Sequence, residues 1–455
     1  MICMKKDLLE LIDRSIESAR EGLKSDIILL ISVKSVKGTP EPGAPFGRGP
    51  RNMLNTVLEM GKAAGFETTD YNVGVVSLGL QAGQPDLGIW LHGDVVPEGE
   101  GWLWSPYEAT EYDGCIIGRG ATDNKGQLCA IFHLLKIFKD LGISLKYNPA
   151  LYVGSDEEFG MHDLKGIPGN EDAKGFCNVC TPPRLSLVPD SGFPVGYGGK
   201  GSMSITFQSR QPLHGLRILA GQSVTPGKAT AFLYGKTIIA HSKTPSIMNP
   251  DPNGTMITRL MEKLLGDNLA AEEDRPILEF LKLASLDVYG EQFGINLKNS
   301  DIAKPVTVSA QKINDINGHP ELTVNIRYSV GITYDEIVEK MKCMANEYGF
   351  MICEAQSKME PYLLDKSDPV ICRLKEIANT ITGEDKEPYT LNGYTYAHCL
   401  PHALVYGMSG NRIPEGFPEG HGSAHGVDEL VSLDRLQQAM RIYARALLEL
   451  NDMDW

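Results

Sequence analysis

The sequence predicts an α/β protein, a mostly parallel sheet with flanking helices, interrupted by an inserted α+β domain. Three observations predict it. Short, continuous apolar runs alternate with amphipathic helices over residues 1–195, the pattern of strands buried on both faces. Residues 196–359 change to alternating strands with two helices, the pattern of a sheet covered on one side. The first texture returns over 360–455, so both outer segments belong to one domain. A chain of 455 residues suits two or three domains at about 150 residues each.

The elements follow in order. Charged and apolar residues alternate at helical spacing over 5–23, and a Gly/Pro-rich loop over 39–50 leads to a helix near 51–65. Strands are predicted near 74–79 and at 87–91. Leu128, Ile131, Phe132, Leu135 and Phe138 then repeat as one face of a helix, followed by strands at 150–154 and 185–188. In the insertion, strands at 201–209 and 236–242 precede a helix over 253–266. A hairpin turning at Asn317-Gly318 and a helix over 334–350 complete it. The last segment reads as a helix near 368–382, a strand at 402–407 and a helix over 433–450.

Composition excludes several classes. Hydrophobic residues make up 42% and charged residues 22%, ordinary for a globular enzyme and far from disorder. A net charge of −15 argues against nucleic acid or an anionic membrane as partner. No run approaches the roughly 18 apolar residues of a membrane helix, and the first 26 residues lack the apolar core of a signal peptide. Nine scattered cysteines, an odd number, fit free thiols in a reducing cytoplasm. The one close pair, Cys177 and Cys180, reads as a surface loop, because no second pair accompanies it.

Chemistry concentrates at strand ends. His92 and Asp94 follow the strand LGIWL, Glu157 and Glu158 follow ALYVG, and Asp190 follows LSLV. Asp123 stands just before a helix in GRGATDNKG, and His425 lies in GHGSAHGVDE. Ligands of parallel sheets bind outside the carboxyl ends of the strands, so these side chains can converge. Two imidazoles and several carboxylates suit Zn²⁺, with Mn²⁺ or Co²⁺ as alternatives. A two-metal site needs a bridging carboxylate and terminal ligands on each side. Asp123 as bridge, His92 and Asp190 on one ion, and Glu158 and His425 on the other fill that scheme. Glu157 is left free as a general base, and Asp94 can accept a ring N–H of His92. Singly, each motif reads more simply as a turn or a solvated surface; the complete set at repeated strand ends does not.

HGDVVPEGEGW, GRGATDNKG, SDEEFG, VPDSG and AHGVDE, in this order, resemble the dinuclear zinc exopeptidases and deacylases. That family includes carnosinase, PepV-type dipeptidase, succinyl-diaminopimelate desuccinylase and acetylornithine deacetylase. The resemblance implies a zinc-exopeptidase-like catalytic domain, a lid domain in the insertion and a cis peptide after Asp123. It also implies two lid residues: His241 in KTIIAHSKTP for the oxyanion and Arg327 in TVNIRYSV for a substrate carboxylate. PEGEGW, PFGRGPRNML and GYTYAH look most like the dipeptidase branch, although Tyr394 and His398 replace its Gly and Arg. YNVG also departs from that branch's usual run. The implied function is metal-dependent dipeptide hydrolysis in the cytoplasm by a monomer or homodimer. The alternatives are deacylation of N-acyl amino acids and a metal-binding partner protein without turnover.

Overall fold

The computed structural model describes residues 2–221, 227–242, 247–248, 250–267, 269–296, 305–408 and 412–455. The chain divides into two compact units. The first comprises Met1–Tyr197, Leu364–Tyr389 and Thr395–Trp455; the second comprises Gly198–Leu363 and Thr390–Tyr394. The sequence boundaries at 195/196 and 359/360 fall within a few residues of these, but they miss the return of 390–394 to the second unit. Two contacts explain that return: Lys200 N–H donates to the Leu391 carbonyl, and Tyr394 lies against Arg327.

The first unit is built on a mixed sheet. Its order is Glu67–Asp70, Val76–Gly79, Pro149–Gly154, Leu87–His92, Leu185–Val188, Ala403–Val405 and Gly196–Gly199. The middle strands pair parallel, Leu87–His92 with both Pro149–Gly154 and Leu185–Val188, and Ala403–Val405 with Leu185–Val188. Each of these four is buried along its whole length, as helices on both faces require. The expectation of a mostly parallel sheet holds for this centre alone. Towards one edge Glu67–Asp70 and Val76–Gly79 pair antiparallel, as do Val76–Gly79 and Pro149–Gly154; at the other, Ala403–Val405 and Gly196 do so. The first two strands are joined by only a short loop, too short for a parallel crossover.

The long amphipathic segment at the start is two helices, Ile2–Ser18 and Arg20–Ser32, broken at Ala19. Gly126–Asp140 is buried on nearly all sides, including His133, which the sequence pattern places on the surface. A hydrogen bond between its Nε2 and the Asp26 carboxylate at 2.8 Å satisfies the ring there. A small sheet of Leu430–Ser432, Cys115–Ile117 and Thr110–Tyr112 lies beside the Asp123 loop.

The second unit is a seven-stranded antiparallel sheet with helices against one face. Gly201–Ser209 and His319–Tyr328 alternate buried and half-buried positions, and Met203, Ile205, Phe207, Leu322, Val324 and Ile326 form its core. Among the described residues three α-helices cover them: Met256–Gly266, Arg275–Leu286 and Tyr334–Glu347. The middle one was not predicted, although Ile277, Leu278, Leu281 and Ala284 carry its buried face. The hairpin turns at Asn317-Gly318 as predicted, with φ of 55° and 87°, the positive values such a two-residue turn needs. Among the described residues no helix is long and apolar enough to cross a membrane.

Candidate metal centre

The parallel register brings the site together. His92 pairs with Gly154, and Ile89 pairs with Leu187, so three strands end side by side. His92 closes its strand, the Ser155–Glu158 loop follows the next, and Asp190 lies two residues past Val188 on the third. Asp123 occupies the single irregular helical turn Ala121–Lys125, and its peptide to Asn124 is cis, as the resemblance implied. His425, at φ 61°, comes from the loop before Leu430–Ser432.

Two imidazoles face the two oxygens of one carboxylate. His92 Nε2 lies 2.9 Å from Asp123 Oδ1, and His425 Nε2 lies 3.0 Å from Asp123 Oδ2. His425 Nε2 also lies 3.0 Å from Glu158 Oε2. Donor atoms of His92, Glu157 and Asp190 fall within 4.8 Å of one another, as do those of His92, Asp123 and Glu158. Asp190 Oδ1 accepts from the Asn124 side chain at 2.8 Å. His92 is buried and His425 half-exposed, so one side of the cluster is closed and the other open.

Charge follows the same pattern. Burial pushes the Glu157 carboxyl well above its usual range, and the charge of Asp190 adds to this. Burial also pushes Asp190 up to about 7, with Asp123 contributing, and Asp94 up to about 7. Asp123 goes the other way: burial opposes ionisation, but hydrogen bonds from His425 and His92 hold it low. His425 is raised to about 10 by its hydrogen bonds to Asp123 and Glu158. Asp94, Asp123, Glu157, Glu158 and Asp190 around two imidazoles make a carboxylate excess that divalent cations would balance. The oxygen and nitrogen donors fit zinc, manganese or cobalt.

Asp94 differs from its expected use. His92 Nδ1 lies 3.0 Å from the Asp94 backbone oxygen, while the Asp94 carboxylate stands 3.7 Å away. That carboxylate instead accepts the backbone N–H groups of Glu157 and Glu158, each at 3.2 Å. Asp163, unnoticed in the sequence, takes the two preceding N–H groups, of Ser155 at 2.7 Å and Asp156 at 3.1 Å. Tyr396 donates its hydroxyl to the same Asp163 oxygen at 2.5 Å. Four successive amides of the loop therefore rest on two buried carboxylates. Gly154 is needed beside them, because a Cβ there would lie 1.9 Å from the Tyr396 hydroxyl.

Other histidines of the first unit have local partners. His421 pairs with Asp428 at 2.6 Å, which also accepts the backbone N–H groups of Leu103 and Trp104. His398 turns back on its own loop, where its Nδ1 accepts from Thr395 N–H. In the second unit, His241 is exposed at the end of the edge strand Lys236–His241. Arg327, largely buried, lies over the Tyr394 ring at 4.4 Å, and among the described residues its Nε and Nη1 have no hydrogen-bond partner.

Residues 89–449 match the peptidase family M20/M25/M40. The chain belongs to this family, metallopeptidases that hydrolyse peptide bonds and bind divalent metal. A protein of Staphylococcus epidermidis named "Putative dipeptidase" is 26% identical over 472 residues, covering 93% of this chain and 96% of that protein. The crystal structure of human carnosine dipeptidase 1 matches with a TM-score of 0.58 at 15% identity, covering 98% of this chain and 100% of the other. The di-peptidase Dug1p from Saccharomyces cerevisiae matches with a TM-score of 0.61 at 12% identity, over 98% and 99% of the two chains. At such identities the two structures bear on the fold alone.

Proposed function

We propose that this peptidase hydrolyses dipeptides at a pair of divalent cations, zinc foremost and manganese or cobalt as alternatives. One observation carries the reading: the two oxygens of Asp123 face two different imidazoles, the arrangement a bridging carboxylate requires. In this scheme His92 and Asp190 hold one cation, Glu158 and His425 the other, and Asp123 both. Bound there, the cations would polarise the scissile carbonyl and ease deprotonation of the attacking water.

The chain supplies the rest. Glu157 takes the proton of the attacking water and returns it to the leaving amine. Asp94 contributes by its grip on the amides of Glu157 and Glu158, which fixes where both carboxylates point. Arg327 is assigned the substrate's free carboxylate, because a planar guanidinium offers two parallel hydrogen bonds and, among the described residues, its Nε and Nη1 have no partner. His241 is assigned the developing oxyanion. The dipeptidase names carried by relatives favour dipeptides over N-acyl amino acids. Free thiols at eight of the nine cysteines favour a reducing, cytoplasmic setting.

A panel of dipeptides and N-acyl amino acids, assayed with Zn²⁺ and with Mn²⁺, tests this. Turnover of dipeptides above the acylated amino acids is expected. Turnover confined to N-acyl substrates overturns the substrate class, and none at full metal loading overturns the enzymatic reading.

A further inference from the structure

Glu429 belongs to no part of the reaction described so far, yet it joins the two loops that carry Asp123 and His425. Its side chain and that of Arg119 are each 1% exposed, and they pair at 2.7 Å. One Glu429 oxygen accepts Arg119 Nη1 and Gly120 N–H at 3.1 Å; the other accepts Thr122 N–H and Asp123 N–H, both at 2.9 Å. The Asp123 turn is therefore moulded on this carboxylate, four residues along the chain from His425.

Arg119 completes the link. Its Nη2 donates to the His425 carbonyl at 3.3 Å and the Glu98 carbonyl at 3.2 Å, and its guanidinium lies 5.1 Å from the centre of the Trp102 ring. The backbone holds the same two loops in register. Leu430 pairs with Ile117, and Gly118 N–H donates to the Glu429 carbonyl at 2.8 Å. An ion pair and a ladder thus connect the Asp123 turn to the His425 loop, and His425 stands 3.0 Å from both Asp123 and Glu158.

We infer that Glu429 and Arg119 are positioning residues that set the gap between Asp123 and His425, and with it the affinity of the cation site on the His425 side. The inference rests on the two-cation reading above. Residues that orient ligands from behind typically contribute about 10–100-fold in metal affinity. On the His92 and Asp190 side, His92 is also held by the Asp94 backbone oxygen, outside the Asp123 turn, so that ion is expected to weaken less.

The test is Zn²⁺ titration of the full chain against a competing chromophoric chelator, with circular dichroism as the check on folding. Wild type, Glu429→Gln, His425→Ala and the double variant are compared. Two bound ions are expected in wild type, and the weaker should bind about 10–100-fold more weakly still in Glu429→Gln. Relative to His425→Ala alone, the double variant's remaining ion should weaken by less than the weaker ion does in Glu429→Gln. Wild-type affinities in Glu429→Gln, equal weakening of both ions, or as large a loss in the double variant would each overturn the inference. Fewer than two ions in wild type would instead remove the two-cation reading and this inference with it. Should Glu429→Gln not fold, Arg119→Lys takes its place. It keeps the charge beside Glu429 but lacks the fork that reaches the His425 carbonyl, so the same weakening is expected and unchanged affinities overturn the inference.

Discussion

Glu157 and Glu158 are adjacent in the chain but differ in surroundings. Glu158 meets His425 on the open side, while Glu157 is buried against Asp190. Glu157→Gln is therefore predicted to keep its metal and lose about 10²–10⁴-fold in kcat, the range for a lost general base. Glu158→Gln should lose metal first. Elemental analysis beside steady-state kinetics checks both, and metal loss in the Glu157 variant would mean that the two roles are exchanged. Arg327→Lys keeps the charge but not the fork, so it should raise KM for dipeptides and barely change it for C-terminally amidated ones. Equal effects on both substrates would contradict a carboxylate clamp. The candidate ligands were legible because imidazoles and carboxylates recur where apolar strands end. Glu429, Arg119, Asp163 and Tyr396 were not, because their main partners are backbone amides, carbonyls or one another, which leave no spacing in the sequence. His133 escaped for a related reason: its partner Asp26 lies on a different helix.

Among the elements, the Ser155–Glu158 loop depends on carboxylates contributed from elsewhere in the fold. Removing the Tyr396 hydroxyl leaves the buried Asp163 oxygen with two backbone donors. Tyr396→Phe is predicted to destabilise the protein by about 1–3 kcal/mol, the usual cost of a lost hydrogen bond to a buried charged group. Urea denaturation measures it, and a change below 0.5 kcal/mol, about the scatter of surface substitutions, would argue against this bond supporting the loop. The antiparallel hairpin at Asn317-Gly318 was readable from turn chemistry, and the central strands from their apolar continuity. The mixed edges of the first sheet were not, because pairing direction follows from connection length and from which strand arrives alongside. The helix Arg275–Leu286 had a readable apolar face, and Pro276 at its start is a further signal.

For the whole molecule, metal and fold are coupled through one unit. All five proposed ligands lie in the first unit, so a bound cation stabilises that unit over its unfolded form. Chelation should lower the thermal midpoint of the first unit, with about 2.7 kcal/mol at stake when free metal is 100 times its dissociation constant. Calorimetry with and without chelator tests this, and an unchanged transition would place the metal elsewhere. The domain pattern itself was visible as a texture that changes near 196 and returns near 360, because a buried parallel sheet and a one-sided antiparallel sheet leave different apolar periods. What the texture could not reveal was the short return of Thr390–Tyr394 to the second unit.

The central claim is that Asp123 bridges two cations, and the metal content of Asp123→Ala tests it most directly. Wild type should carry two metals per chain by elemental analysis, and the folded variant should fail to retain that complement. Two metals per chain in folded Asp123→Ala would contradict the account.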